Sequence, residues 1–441
     1  MFIPMHKKSI KIVMFFLFFT SICEISYSNE IISFEETIQR ALIHSFDLKI
    51  TNLDLAIKNN DVTKAFMSRF PELTASLSSN FTEQLDDKQS YYNPDSNEFD
   101  SDNQNYGNLV SLDLSYTISD YIRLKKIYEL SLLEKEITQA SKLDIVKKIK
   151  LQTLFRFTDA LLLSEEIKIQ TQKVPVYEKL INNFRRTIKA GINSSLEMIS
   201  LNREVLKNEY EILLLKNKYQ AVLEDLSLIT GEKYPVNEVA WAMLKCGENL
   251  IHDLDVRSQP EILLHQKNIE KKSTEVSIIQ SELFPKVNLK LNYKYYDNDP
   301  DDYGKSFGNI DDKSYTIGLF VLIPFTEATK NYYSYKNGKH EVKKAKIQLD
   351  KEISDLESQF NKYQKEYYSL LKMLALDEQS LDLIDQNIAM LNRLENEKLI
   401  NEKELLEKEL SLLDEKIKTT KGLINKSSFI KRFEILSKGR I

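Results

Sequence analysis

Histidine and cysteine are scarce in this sequence, at five and two, and no side chains fall in a catalytic pattern. Beyond the first 28 residues the histidines are His44, His252, His265 and His340. No two lie at i, i+4 to share a metal ion, and no Ser-His-Asp or phosphate-loop signature is present. His252 and His265 read as ordinary surface or interface residues. The expectation is no enzyme, no cofactor and no metal. What remains is charge with spacing. Lys286, Lys290 and Lys294 recur every four residues in one alternating stretch, and Asp113 lies on the polar side of another. Such rows line a wet passage or simply form a solvated strand face; both readings stand. Two loops, 82–108 and 297–313, are acidic: Glu83, Asp86, Asp87, Asp95, Asp100 and Asp102, then Asp297, Asp299, Asp301, Asp302, Asp311 and Asp312. They attract cations at a mouth, or are plain solvated loops.

The elements that hold these charges alternate with period two. Leu73, Ala75, Leu77 and Phe81 oppose Thr74, Ser76, Ser78 and Asn80. Val110, Leu112, Leu114, Tyr116 and Ile118 oppose Ser111, Asp113, Ser115 and Thr117. Val287, Leu289, Leu291, Tyr293 and Tyr295 oppose Lys286, Asn288, Lys290, Asn292 and Lys294. Tyr315, Ile317, Leu319, Val321 and Ile323 alternate with Thr316, Gly318, Phe320 and Leu322. This pattern means half-buried strands. Each is about 10 residues, the length that crosses a bilayer when tilted. Soluble hairpins with one face on a core alternate in the same way. Aromatic residues at the strand ends favour a membrane barrel: Phe70, Tyr91, Tyr92, Tyr106, Tyr295, Tyr296 and Phe325. Four strands cannot close alone, so their edges must pair with other copies. Eight strands leave an interior filled by side chains, so a conduit needs three copies or more.

The rest is long helix. Ser33-Phe-Glu-Glu is a capping box opening the first helix. Between 198 and 229, Met198, Leu201, Val205, Ile212, Leu215, Tyr219, Val222, Leu226 and Ile229 step by threes and fours, with Asn208 the polar slot. That period of 3.5 implies coiled-coil packing, and Gly231 ends it. The runs 120–173 and 327–376 are similar, and a 50-residue helix is ~75 Å long. Heptads alone leave a solvated rod and a tunnel wall equally open. The inserted strands favour the tunnel.

The plan occurs twice. Asp47-Leu48 precedes Phe70-Pro71, and Glu261-Ile262 precedes Phe284-Pro285, at the same spacing. The expected division is a first structural repeat at 29–230 with strands 72–86 and 108–118. A linker at 231–257 follows, with the one tryptophan, Trp241. A second repeat spans 258–441 with strands 286–296 and 314–323.

Residues 1–28 read as a signal peptide. Lys7, Lys8 and Lys11 precede an apolar run, and Ser26-Tyr27-Ser28 forms a small-x-small site. Cys23 raises a lipoprotein alternative, which bulky Ile22 disfavours. After cleavage Cys246 stands alone, so no intrachain disulfide forms. No later segment is apolar over 18 residues, so any crossing of a membrane is by strands. The net charge is −5 and becomes more negative on cleavage, which argues against a nucleic-acid partner.

These pieces, in this order, resemble the TolC-like outer-membrane efflux protein family over nearly the whole chain. The residues are Ser33-Phe-Glu-Glu-Thr-Ile-Gln-Arg-Ala-Leu, Ser45-Phe-Asp-Leu, Phe70-Pro-Glu-Leu and Leu114-Ser-Tyr-Thr-Ile-Ser-Asp-Tyr-Ile-Arg. The second half adds Gln259-Pro-Glu-Ile, Phe284-Pro-Lys-Val and Leu322-Ile-Pro-Phe. The resemblance implies a mostly α fold with a small β part. Antiparallel helical hairpins form an α-barrel, and four transmembrane strands per protomer make a twelve-stranded barrel in a homotrimer. It implies a passive export conduit in the outer membrane of a Gram-negative bacterium, with helices in the periplasm. The partners implied are outer-membrane lipids, a periplasmic adaptor (a membrane fusion protein) and an inner-membrane pump. Pro71, Pro285 and Pro324 mark junctions, and Lys189-Ala-Gly191-Ile looks like the family's junction between stacked helices. Two departures stand out. Ser119-Asp120-Tyr121 and Thr326-Glu327-Ala328 lack the usual glycine, and Lys398 sits where a second Gly191-like residue is expected. In the family the periplasmic end closes where helical hairpins meet. Those turns are expected near 150–160 and 353–367, with Asp355, Glu357, Tyr363 and Tyr367 as gate candidates. The rival reading is a non-pore periplasmic coiled-coil adaptor or structural protein.

Overall fold

A computed structural model describes residues 31–83, 91–93, 98–100, 104–191, 195–235, 239–245, 256–299, 302–308, 310–397 and 401–437. The expected leader, Cys23, Cys246, His252 and Lys398 lie outside them, as do Asp86, Asp87, Asp95, Asp102 and Asp301.

In chain order the first half runs β1 (Ile31–Ile32), α1 (Phe34–His44), α2 (Phe46–Met67) and β2 (Glu72–Glu83). It continues through β3 (Tyr91–Asn93), β4 (Glu98–Asp100), β5 (Gln104–Thr117), α3 (Tyr121–Lys189) and α4 (Ser195–Thr230). After β6 (Ala240–Trp241) come α5 (Pro260–Ser281), β7 (Lys286–Asp299), α6 (Tyr303–Gly308) and β8 (Asp312–Leu322). The chain ends with α7 (Phe325–Asn396) and α8 (Glu402–Ser437). The strands fall close to the expected ranges. The surprises lie in the acidic loops, where a short β3–β4 hairpin and helix α6 form.

Two compact units result, each assembled from both halves of the chain. The first takes residues up to 45, 148–250 and 365–436. Its core gathers Phe34, Leu154, Phe157, Tyr219, Leu226 and Trp241. Phe157 lies 5.2 Å from Trp241 at 87° and 5.5 Å from Phe34. The indole Nε1–H of Trp241 donates to the Tyr219 hydroxyl at 2.8 Å, which satisfies a polar group that would otherwise be buried unpaired. Parallel pairing of Ile32 with Trp241 fixes this corner. A second cluster packs Ile169, Leu180 and Phe184 of α3 against Leu201 of α4 and Leu405, Leu406 and Leu410 of α8. Ser33 caps α1, its Oγ accepting from Glu36 N–H at 3.2 Å. Glu36 pairs with Arg40, so only half of the expected capping box is formed.

The second unit takes 46–147, 251–364 and the last residues. Charged networks tie its helices: Lys58 and Lys271 both reach Glu134 at 2.9 Å, and Lys267 reaches Glu136 at 2.9 Å. Helix α7 approaches α5 closely at Gly338, where a Cβ would fall 2.6 Å from a Val276 methyl.

The helical hairpin turns are not where the sequence placed them. Residues 150–160 and 353–367 lie inside α3 and α7, which run unbroken for 69 and 72 residues. The heptads carry through, and no glycine or proline interrupts 121–174 or 339–396. Even Pro175 is passed within α3. The helices end instead at Lys189 and Asn396, and the next ones begin at Ser195 and Glu402. Gly191, with φ +74°, follows the C-terminal end of α3. Nothing lies near the Cβ it lacks, so its glycine is required by backbone conformation alone.

Candidate membrane wall and tunnel surfaces

The site is a sheet. Its order is β2-β5-β7-β8, antiparallel throughout. Among the described residues the outer edges of β2 and β8 have no strand partner. Pro71 and Pro285 immediately precede β2 and β7, where a missing N–H costs no ladder bond. Pro324 sits between β8 and α7, and its carbonyl accepts the Ala328 N–H at 2.8 Å to open the helix. At the other long-helix entry a 3-10 turn, Ile118–Asp120, leads straight into α3. There Ser119 Oγ accepts the Val287 N–H at 3.0 Å. Neither entry uses a glycine.

Register sorts the side chains onto two faces. Leu77 pairs with Val110 and that with Tyr295; Leu114 pairs with Leu291 and that with Ile317. One face thus carries Leu73, Leu77, Val110, Leu112, Leu291, Ile317, Leu319 and Val321. It is bare: Leu77 is 67% exposed, Ile317 64% and Leu319 63%. Along β5 it runs from Tyr116 to Tyr106, about 24 Å in height for strands rising ~3.4 Å per residue at ~45° tilt. A lipid-facing band of an outer-membrane barrel is about 25 Å tall.

The other face is polar and bonded to itself. Ser76 and Ser111 hydroxyls are 2.8 Å apart, and Ser111 donates to Asp113 at 2.7 Å. Asn292 also donates to Asp113, and Thr117 donates to Asn288 at 2.6 Å. Lys286, Lys290 and Lys294 share this face with Asp113, as the pairings Ser115 to Lys290 and Ser111 to Lys294 require. Phe320 breaks the polarity. Its ring lies over Gly318, where a Cβ would meet it at 2.7 Å, and Lys290 Nζ sits 5.7 Å from its centre.

The structure does not bring the four gate candidates to a turn. Asp355 and Glu357 are exposed in mid-α7. Tyr367 is buried at 2% exposure against Phe433, ring centres 5.5 Å apart. It is packed in the interior of its own chain. The physical reason is the uninterrupted helix: no hairpin end lies near these residues. At the start of α8, Glu402 takes hydrogen bonds from Asn183 at 2.7 Å and Arg186 at 2.9 Å near the end of α3. Lys403 sits 4.7 Å from the Phe184 ring.

Residues 37–232 match the outer membrane efflux protein family. Fold carries the likeness further. CusC, whose crystal structures concern folding and transmembrane channel formation, superposes at TM-score 0.72 with 12% identity, over 92% of this chain and 91% of its own. The outer membrane protein VceC of Vibrio cholerae gives 0.70 with 14% identity, over 92% and 95%. The CmeC outer membrane channel of Campylobacter jejuni gives 0.73 with 11% identity, over 92% and 84%. Comparison with curated protein sequences finds no match. The TolC-like efflux fold expected from the sequence is thus the fold observed. No described helix of this chain is long and apolar enough to cross a membrane.

Sequence reading missed several contacts. Arg69 lies 5.7 to 5.9 Å from the rings of Phe66, Tyr121 and Tyr128, a cage that joins α2 to α3 beside Pro71. The aromatic clustering near Phe70 was its only trace. Tyr177 on α3 was missed too. Burial, then Glu204, Asp414 and Glu211, push its hydroxyl up to about 12, so it stays a neutral donor.

Proposed function

We propose that the chain is one of three protomers of an outer-membrane export channel. It is a passive conduit from the periplasm to the exterior that a periplasmic adaptor and an inner-membrane pump open. One observation carries the reading: a sheet with a bulky apolar face bare over most of its length, a hydrogen-bonded polar face behind it and, among the described residues, both edges unpaired. In water such a sheet is an aggregation hazard. Three copies joined edge to edge close it, face the apolar side to lipid and leave a wet interior.

The helices support the same count. On α4 the exposed side chains Ile199, Leu206 and Leu213 recur every seven residues, and on α7 Leu376, Leu383 and Met390 do so as well. Each is a coiled-coil seam without a partner. Two different seams on one chain make a head-to-tail contact, which closes into a ring. A non-pore adaptor would need neither the bare sheet face nor its open edges.

In this reading Lys286, Lys290, Lys294 and Asp113 line the pore and are tripled by symmetry. The test is conductance of the purified protein in planar bilayers. The triple change of Lys286, Lys290 and Lys294 to Gln should move the reversal potential in a salt gradient toward cation preference. An unchanged reversal potential in an active channel removes the lysines from the lumen, and no conductance from either protein overturns the channel.

A further inference from the structure

The connection between β7 and β8 does not hang as an acidic loop. It folds α6 back onto the sheet, on the apolar face. Ser306 is fully buried. Its Oγ accepts from Asn108 Nδ2 at 2.9 Å and donates to the Asp297 carbonyl at 3.0 Å. Asn108 has the same parity on β5 as Val110, Leu112 and Leu114, so it points out through the apolar face, yet it is 1% exposed. Helix α6 covers the one amide that would otherwise interrupt this face of β5 between Tyr106 and Val110.

The cover is itself apolar outward. The Tyr303 ring lies 6.2 Å from Tyr106, edge-on, and Tyr106 lies 4.9 Å from Phe81. Phe307 stacks beside Tyr303 at 6.2 Å and 19°. Both keep about half of their surface open, 49% and 52%. Asp302 fixes the start of the helix, its carboxylate accepting the Gly304 N–H at 2.8 Å. On the same face and toward the same rim, Lys313 Nζ sits 5.2 Å from the Tyr295 ring. Amphipathic aromatic rings with a lysine at the edge of an apolar band are the chemistry of a headgroup boundary.

We propose that α6 is an interfacial anchor: it seats Tyr303 and Phe307 in the lipid headgroup–acyl boundary, at the rim of the sheet farthest from the helices. The occupant of this surface is bilayer lipid, because the patch continues the bare apolar face without a break. The inference rests on that face meeting lipid, and the experiment separates the two. Full-length protein is reconstituted into phospholipid vesicles whose acyl chains carry bromine either near the glycerol or near the chain end. Three proteins are compared: Phe307→Trp, Leu112→Trp and the unaltered chain, whose Trp241 is buried and serves as the unquenched reference. Phe307→Trp should show blue-shifted emission, quenched more by the shallow bromine than by the deep one. Leu112→Trp, midway along the face between Tyr106 and Tyr116, should be quenched more by the deep bromine than Phe307→Trp is. If Leu112→Trp is quenched and Phe307→Trp is not, α6 faces water and the anchor is wrong while the lipid-facing sheet stands. If neither is quenched, both readings fall. Tyr303→Trp repeats the test should Phe307→Trp fail to assemble. Adding Asn108→Ala to Phe307→Trp should weaken the shallow quench by unseating the helix, and an unchanged quench rejects the Asn108–Ser306 bond as what holds it.

Discussion

The core around Trp241 and the four-stranded sheet use the same apolar residue types and treat them oppositely. Leu154, Phe157 and Leu226 are at 0% exposure, while Leu77, Ile317 and Leu319 exceed 60%. The polar groups reverse as well. In the core they are few and local, such as the Tyr219–Trp241 bond. In the sheet they form a ladder along one face, through Ser76, Ser111, Asp113 and Asn292. One region is finished by its own chain, and the other is finished by its surroundings. Exposure of a single apolar residue means little, but a whole strand face of them marks a surface meant for something other than water.

That contrast can be broken by mutation. Phe157→Ala should cost about 3–5 kcal/mol, the range for a fully buried aromatic, read by denaturant titration in detergent. An effect within the scatter of surface substitutions would show that the core is not closed by this ring. Next is Ile317→Arg, which places a cation on the apolar face and should cost about 2–4 kcal/mol in bilayers. Thr316→Arg, one residue away on the polar face, should be nearly neutral in the same folding assay. Equal costs would erase the distinction between the two faces. Tyr219→Phe removes only a hydroxyl but leaves the Trp241 N–H buried without an acceptor, a loss of about 1–3 kcal/mol. A neutral result would mean that water reaches the indole.

The smallest effect is acid dependence in the helical part of the sheet's own unit. Burial alone would raise the Glu134 carboxyl, but hydrogen bonds and charge from Lys58 and Lys271 outweigh it and hold the value below the ordinary one. A depressed folded value means stability that is complete above the unfolded pKa and lost as pH falls through the folded one. Glu134→Gln should flatten that acid limb of the stability profile. A limb of unchanged slope would assign it to other carboxylates.

Much of this was legible in the residues. Strict alternation in 109–118 and 286–295 admits one structure, and Phe70-Pro71 and Phe284-Pro285 punctuate it, so the sheet and its faces came through. Long helices came through in kind but not in extent. Heptads in α3 and α7 have no internal mark, and a period says where a seam runs without saying where the rod turns. Gly191 stands out in the sequence, but nothing in the heptads of 150–160 or 353–367 tells that α3 and α7 run through them. Helix α6 is one turn and a half, too short to show periodicity, and Asp302 and Asp311 beside it read as solvated loop. The Ile32–Trp241 pairing spans two residues on each side and leaves no pattern at all.

The sheet's unpaired edges carry the central claim, and assembly tests it most directly. Membranes of expressing cells are extracted with detergent, and the unheated protein is examined by native mass spectrometry. A particle of three chains is expected, one that separates only on heating, with its β-structure lost at the same step. A single chain, recovered from the aqueous fraction and stable without detergent, would contradict it.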